Sequence, residues 1–123
     1  MAWQRRIRQT LEPLGLTHVQ FVLLACCWWM ETHGAPPRQQ ELAARAGTDI
    51  KMTSQVIARL EAAGLVTRTV DSGDTRAKLV RLTENGRDLA GRAVTAVERV
   101  DVEMFGAEAA PLLRTLRSVL DAE

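Results

Sequence analysis

Residues 49–83 constrain this chain most: an amphipathic helix, a glycine stop, and two short β-branched runs around a charged loop. In the helix, residues 49–64, Met52, Val56, Ile57 and Leu60 recur at helical spacing and are expected to bury one stripe. Lys51, Ser54, Gln55 and Ala58 then fall on the opposite face, short or polar near the helix start, as in a helix that meets base edges in a major groove. A surface helix buried on one side has the same pattern, so the residues that follow decide between the two.

Gly64 can take the left-handed conformation that stops a helix, and Leu65 to Val70 is rich in strand-forming residues. Asp71-Ser72-Gly73-Asp74-Thr75-Arg76 reads as a charged turn, and Lys78 to Leu82 returns as a second strand. Asp74 stands two residues before Arg76, close enough for its carboxylate to hold the guanidinium extended. An arginine fixed at a hairpin tip suits a narrow, electronegative minor groove, whereas an ordinary hairpin loop is simply solvated. Together these elements read as a winged helix.

The motifs resemble those of the multiple antibiotic resistance regulator (MarR) family of bacterial transcription factors, over nearly the whole chain. The matching segments are Leu14-Gly15-Leu16-Thr17 with Gln20-Phe21, Glu41-Leu42-Ala43, residues 59–66, residues 71–76 and residues 79–86. The resemblance implies a dimeric winged helix-turn-helix protein that binds near-palindromic operators and is released by small ligands or oxidants. It maps base-reading positions onto Lys51, Ser54 and Gln55, and a wing-tip pair onto Asp74 and Arg76. With the start of the positioning helix and the returning strand, the candidate DNA-binding set is Arg38, Gln39, Lys51, Thr53, Ser54, Gln55, Asp74, Arg76 and Lys78. Two positions depart from the family pattern. Arg38 stands where a Ser or Thr commonly caps a helix, and Gln55 replaces a frequent Arg, which favours adenine over guanine contacts.

A chain of 123 residues, 46% hydrophobic, supplies one core and one domain, 1–123. Its net charge of only +1 argues against a general nucleic-acid binder, but the charge is unevenly spread. Residues 38–87 hold nine basic against six acidic side chains, and residues 88–123 hold four against seven. The positive part coincides with the winged helix, where phosphate binding needs it. Nothing resembles a signal peptide, and the longest apolar run, residues 21–30, is about half of the ~20 residues a membrane helix needs. A cytoplasmic protein with no membrane partner is expected.

The coarse reading is mainly α with a small β-hairpin wing: a winged helix-turn-helix lobe, residues 17–83, between terminal dimerisation helices, residues 1–16 and 84–123. A short first helix runs from about Trp3 to Leu14, Thr17 caps a second that runs to about Thr32, and residues 39–46 form the positioning helix. A long helix starts at Thr83 and ends at Gly106, and Pro111 opens a last one. A winged helix closes its own core, so the apolar stripes of the terminal helices need another surface. Leu11, Leu112, Leu113, Leu116, Val119 and Leu120 are the candidate dimerisation residues, and a two-fold dimer presents two recognition helices about one DNA turn apart.

Residues 21–30 are apolar all the way round, which predicts two buried sides for that helix. Phe21, Leu24 and Trp28 share a stripe that matches the family's core. Val19, Leu23, Cys26 and Met30 share another, which in the family looks toward the cavity between the two lobes. Core packing is the commoner fate of such residues; the alternative is a pocket for a small aromatic or lipophilic effector, with Val19, Leu23, Cys26, Trp28, Trp29 and Met30 as its candidates.

Enzyme chemistry finds no footing. His18 and His33 are the only histidines, neither is spaced with Cys26 or Cys27 as a metal site, and no nucleophile grouping or phosphate loop can be assembled. No metal and no cofactor are expected. Two further readings stay open: a winged helix used only for protein contact, and a thiol redox sensor built on Cys26 or Cys27. The apolar run around the cysteines should raise their pKa and slow oxidation.

Overall fold

The computed structural model describes residues 2–106. Its order is α1 (Ala2–Leu11), a 3₁₀ turn (Glu12–Leu14), α2 (His18–His33), α3 (Gln39–Ala46), α4 (Ile50–Ala62), β1 (Val66–Asp71), β2 (Asp74–Leu82) and α5 (Glu84–Phe105). The predicted dimerisation residues Leu112, Leu113, Leu116, Val119 and Leu120 lie outside the described residues.

The starts of α2 to α5 each carry a local side-chain bond. Thr17 Oγ1 accepts from Gln20 N at 3.2 Å while Gln20 Oε1 accepts from Thr17 N at 3.0 Å, a complete capping box. Arg38 has no acceptor to offer α3, and there only the reverse bond exists: Glu41 accepts from Arg38 N at 2.9 Å. Asp49 caps α4 by accepting from Met52 N at 2.7 Å, and Thr83 caps α5 by accepting from Gly86 N at 3.0 Å. The turn between α3 and α4 runs through Gly47 at φ +71°, a left-handed conformation costly to any side chain.

β1 and β2 pair antiparallel from Val66 opposite Leu82 to Asp71 opposite Asp74, with an irregularity between Val70 and Asp71. The hairpin is tighter than the sequence suggested. Asp71 accepts from Gly73 N at 2.9 Å, which closes the turn on Ser72 and Gly73 and places Asp74 and Arg76 within β2. On its other edge β2 meets the chain before α3, where Val80 N donates to Pro37 O at 2.9 Å.

Helices α1, α2 and α5 share one continuous core with the winged helix: Ile7, Leu11, Leu23, Leu24, Leu42, Ile57, Val80 and Ala93 belong to a single buried cluster. This corrects the assignment of Leu11 to a dimer surface. Leu11 is 0% exposed because α1 lies along its own chain's α5. The helices are tied there by Trp3 Nε1 donating to Asp101 Oδ1 at 2.7 Å and by the Arg6–Glu103 ion pair. Among the described residues no single helix is long and apolar enough to cross a membrane.

Candidate nucleic-acid interface

The buried stripe of α4 is Thr53, Ile57 and Leu60, one position removed at its start from the expected one. Met52 is 41% exposed and Thr53 is 0% exposed. The exchange has a polar cause. Thr53 Oγ1 donates to Asp49 O at 2.8 Å and meets Thr48 Oγ1 at 2.6 Å, so its hydroxyl is satisfied inside and fixes the helix-turn-helix corner. Thr53 is therefore removed from the DNA-contact set: it has no surface to offer. Lys51 and Gln55 are exposed and Ser54 is half-buried, so α4 presents the expected polar face.

Beside this face stands the wing. Asp74 Oδ1 accepts from Arg76 N at 3.1 Å and lies 3.6 Å from Arg76 Nε. The Arg76 side chain is 92% exposed, held at its base and free at its tip. Lys78 is exposed on the same strand.

Arg38 and Gln39 are engaged with the protein. Arg38 Nε donates to Asp71 Oδ2 at 2.9 Å, tying the start of α3 to the wing. Gln39 Oε1 accepts from Arg68 Nη1 at 3.3 Å, and Arg68 Nη2 reaches Glu61 Oε1 on α4 at 3.1 Å. These contacts tie α3, α4 and the wing to one another, and the sequence reading missed Asp71, Arg68 and Glu61 in that role. The Gly73 amide, and after it the Arg38 guanidinium, hold the Asp71 carboxyl below its ordinary pKa. The clasp is therefore in place at neutral pH and is lost as pH falls through that lowered value.

The sequence-predicted effector residues separate in space. Trp28 lines an open cavity of about 900 Å³, together with Thr10, Pro13 and Leu14 and with Arg87, Asp88, Arg92 and Arg99 of α5. Leu23 is fully buried in the core and leaves the pocket set, and Val19, Cys26 and Met30 pack against the core. Trp29 points elsewhere: its ring stacks on His33 with centroids 4.0 Å apart, and the Arg45 guanidinium lies 4.8 Å from its centroid. Adjacent positions on a helix differ by about 100°, so Trp28 and Trp29 cannot share one wall.

A residue the sequence reading overlooked joins cavity and wing. Glu31 Oε2 accepts from Leu82 N at the base of β2 at 3.1 Å, while Glu31 Oε1 lies 3.6 Å from Arg87 Nη2 at the cavity.

The cysteines have cations near them, Arg45 by Cys26 and Arg87 by Cys27, but burial wins and both thiols are raised as expected. It raises the Cys26 thiol against an opposing Arg45. Burial, then the Glu31 carboxylate, push Cys27 up to about 12, and its Sγ lies 3.8 Å from Val80 O. Cys27 is 0% exposed and its thiol is pushed up, so in the folded protein it should react with iodoacetamide at pH 8 at least about a hundredfold more slowly than an ordinary thiol. Time-resolved mass spectrometry of folded and urea-unfolded protein checks this, and equal rates would contradict it.

The geometry has counterparts. The MarR family model matches residues 16–78. The chain is 40% identical over 106 residues to the HTH-type transcriptional regulator YdcH of Bacillus subtilis, covering 86% of this chain and 72% of that protein. It is 31% identical over 115 residues to an HTH-type transcriptional repressor of Mycobacterium tuberculosis, covering 94% of this chain and 80% of that one. The structure of CouR from Rhodococcus jostii RHA1 bound to p-coumaroyl-CoA aligns with a TM-score of 0.77 at 27% identity, over 98% of this chain and 82% of that chain. With that match across the helix-turn-helix and wing, the chain belongs to the MarR family of winged helix-turn-helix transcriptional regulators.

Proposed function

We propose that this protein is an operator-binding repressor that acts in the cytoplasm as a homodimer and releases DNA when a small aromatic or lipophilic ligand binds. The observation that carries the reading is the pairing of a polar, exposed α4 face with an almost fully exposed Arg76, both on one hydrogen-bonded body. In the bound state α4 enters the major groove with Lys51, Ser54 and Gln55 at base edges, and the wing carries Arg76 into the flanking minor groove. Exposed Val102 and Phe105 near the end of α5 supply apolar surface for a second copy.

For the ligand, support comes from the Trp28 cavity. One aromatic wall and the guanidinium groups of Arg87, Arg92 and Arg99, which outnumber the lining carboxylates of Asp88 and Glu98, suit an aromatic compound bearing an anionic group. CouR, at 27% identity, was solved with p-coumaroyl-CoA. A ligand that draws Arg87 away from Glu31 loosens the hold on Leu82 N and with it the base of the wing. It weakens DNA binding only as far as it prefers the altered arrangement.

The test is selection of bound fragments from random DNA. The expected product is a near-palindrome with half-site centres about one helical turn apart. Gln55→Ala should lose about 1–3 kcal/mol at one base position in each half-site. Failure to enrich any sequence would overturn the reading.

A further inference from the structure

We propose that Ile50 is a specificity-determining residue that reads the 5-methyl group of a thymine in each half-site. The proposal rests on the operator-binding reading above and adds to it a contact that the polar face of α4 cannot make.

Ile50 is the first residue of α4 and the most exposed of the large hydrophobic residues described, at 71%. Its place is fixed by the turn around it. Asp49 Oδ1 accepts from Met52 N at 2.7 Å, Asp49 O accepts from Thr53 N at 3.0 Å, and the Thr53 hydroxyl closes on the same carbonyl. An isoleucine here serves neither the core, which Thr53, Ile57 and Leu60 form, nor the helix, since a β-branched residue lowers helix propensity. Its neighbour on one side is the exposed Lys51, and beyond that the partly exposed Met52.

The occupant follows from that mixture. A protein-docking patch is contiguous and apolar at its centre and is depleted in lysine, whereas here Lys51 separates two isolated apolar side chains. A DNA major groove has the matching composition: base-edge acceptors for a lysine, and one apolar feature, the thymine methyl. Ile50 and Lys51 are consecutive at the start of the helix whose next turn carries Ser54 and Gln55. The thymine therefore adjoins the base pair that Lys51 and Gln55 face.

The experiment replaces each thymine of a selected operator, one at a time, with deoxyuridine, which removes the methyl and nothing else. Fluorescence anisotropy then gives the affinity of the parent and of Ile50→Ala. We expect one position per half-site where uracil weakens the parent about fourfold, the effect of losing one buried methyl. Ile50→Ala should bind thymine and uracil there equally, keep its Gln55-dependent base preference, and melt at the parent's temperature. A parent that binds the operator but distinguishes thymine from uracil nowhere overturns the assignment of Ile50 and leaves the operator reading standing. So does an Ile50→Ala protein that keeps the discrimination. A parent that binds no selected duplex overturns both.

Discussion

Gly86→Ala should destabilise the protein by about 3 kcal/mol, the upper part of the range for overpacking a well-filled site, and lower Tm by roughly 10 °C. A Cβ on Gly86 would lie 1.9 Å from Leu65 O and 2.8 Å from Leu65 C, and the obstacle is backbone, not a side chain that can turn away. The Leu65 peptide is pinned as well. Leu65 O accepts from Thr83 N at 3.0 Å, and Leu65 N donates to Leu60 O at 2.9 Å. Thr83 Oγ1 in turn donates to Gly64 O at 2.6 Å while capping Gly86. Relief thus requires α5 to part from the link between α4 and β1. Gly91→Ala is the control: nothing lies within 4 Å of its Cβ, and a mid-helix alanine should stabilise by about 0.5–1 kcal/mol. Thermal unfolding followed by circular dichroism separates the two, and a Gly86→Ala protein that melts with the parent would show that α5 shifts at no cost.

Arg76→Ala should lower operator affinity at least tenfold without changing Tm. The side chain is 92% exposed and its contacts are with Asp74 on its own strand, so the fold loses almost nothing. Binding loses a guanidinium in each half-site, at about 1–2 kcal/mol apiece, and the slope of log affinity against log salt should become shallower. Asp74→Ala should cost less, since it frees the arginine without removing its charge. An Arg76→Ala protein with the parent's affinity and salt slope would take the wing off the DNA.

Much of this was legible in the sequence because its causes are local. Thr17, Asp49 and Thr83 announce helix starts through hydroxyl or carboxylate acceptors three residues ahead of their donors, and the hairpin follows from β-branched runs around Ser72-Gly73. What escaped depends on partners far along the chain. The choice between Met52 and Thr53 as the buried residue turns on Thr48 and the Asp49 carbonyl, which periodicity does not contain. The clasp from Arg38 to Asp71 spans 33 residues and the link from Glu31 to Leu82 spans 51, so no motif spells either. Residues 21–30 of α2, apolar on every side, have no phase to read. Trp28 at the cavity and Trp29 against His33 could be told apart only once α3 and α5 were in place.

The central claim is that two copies of α4 and its wing engage DNA together, and hydroxyl-radical footprinting of a selected duplex tests it most directly. The account predicts two symmetric protected patches with centres about one helical turn apart, each with an outer flank of minor-groove protection that Arg76→Ala selectively removes. A single patch with no symmetric partner, or flanks unchanged in the Arg76→Ala protein, would contradict it.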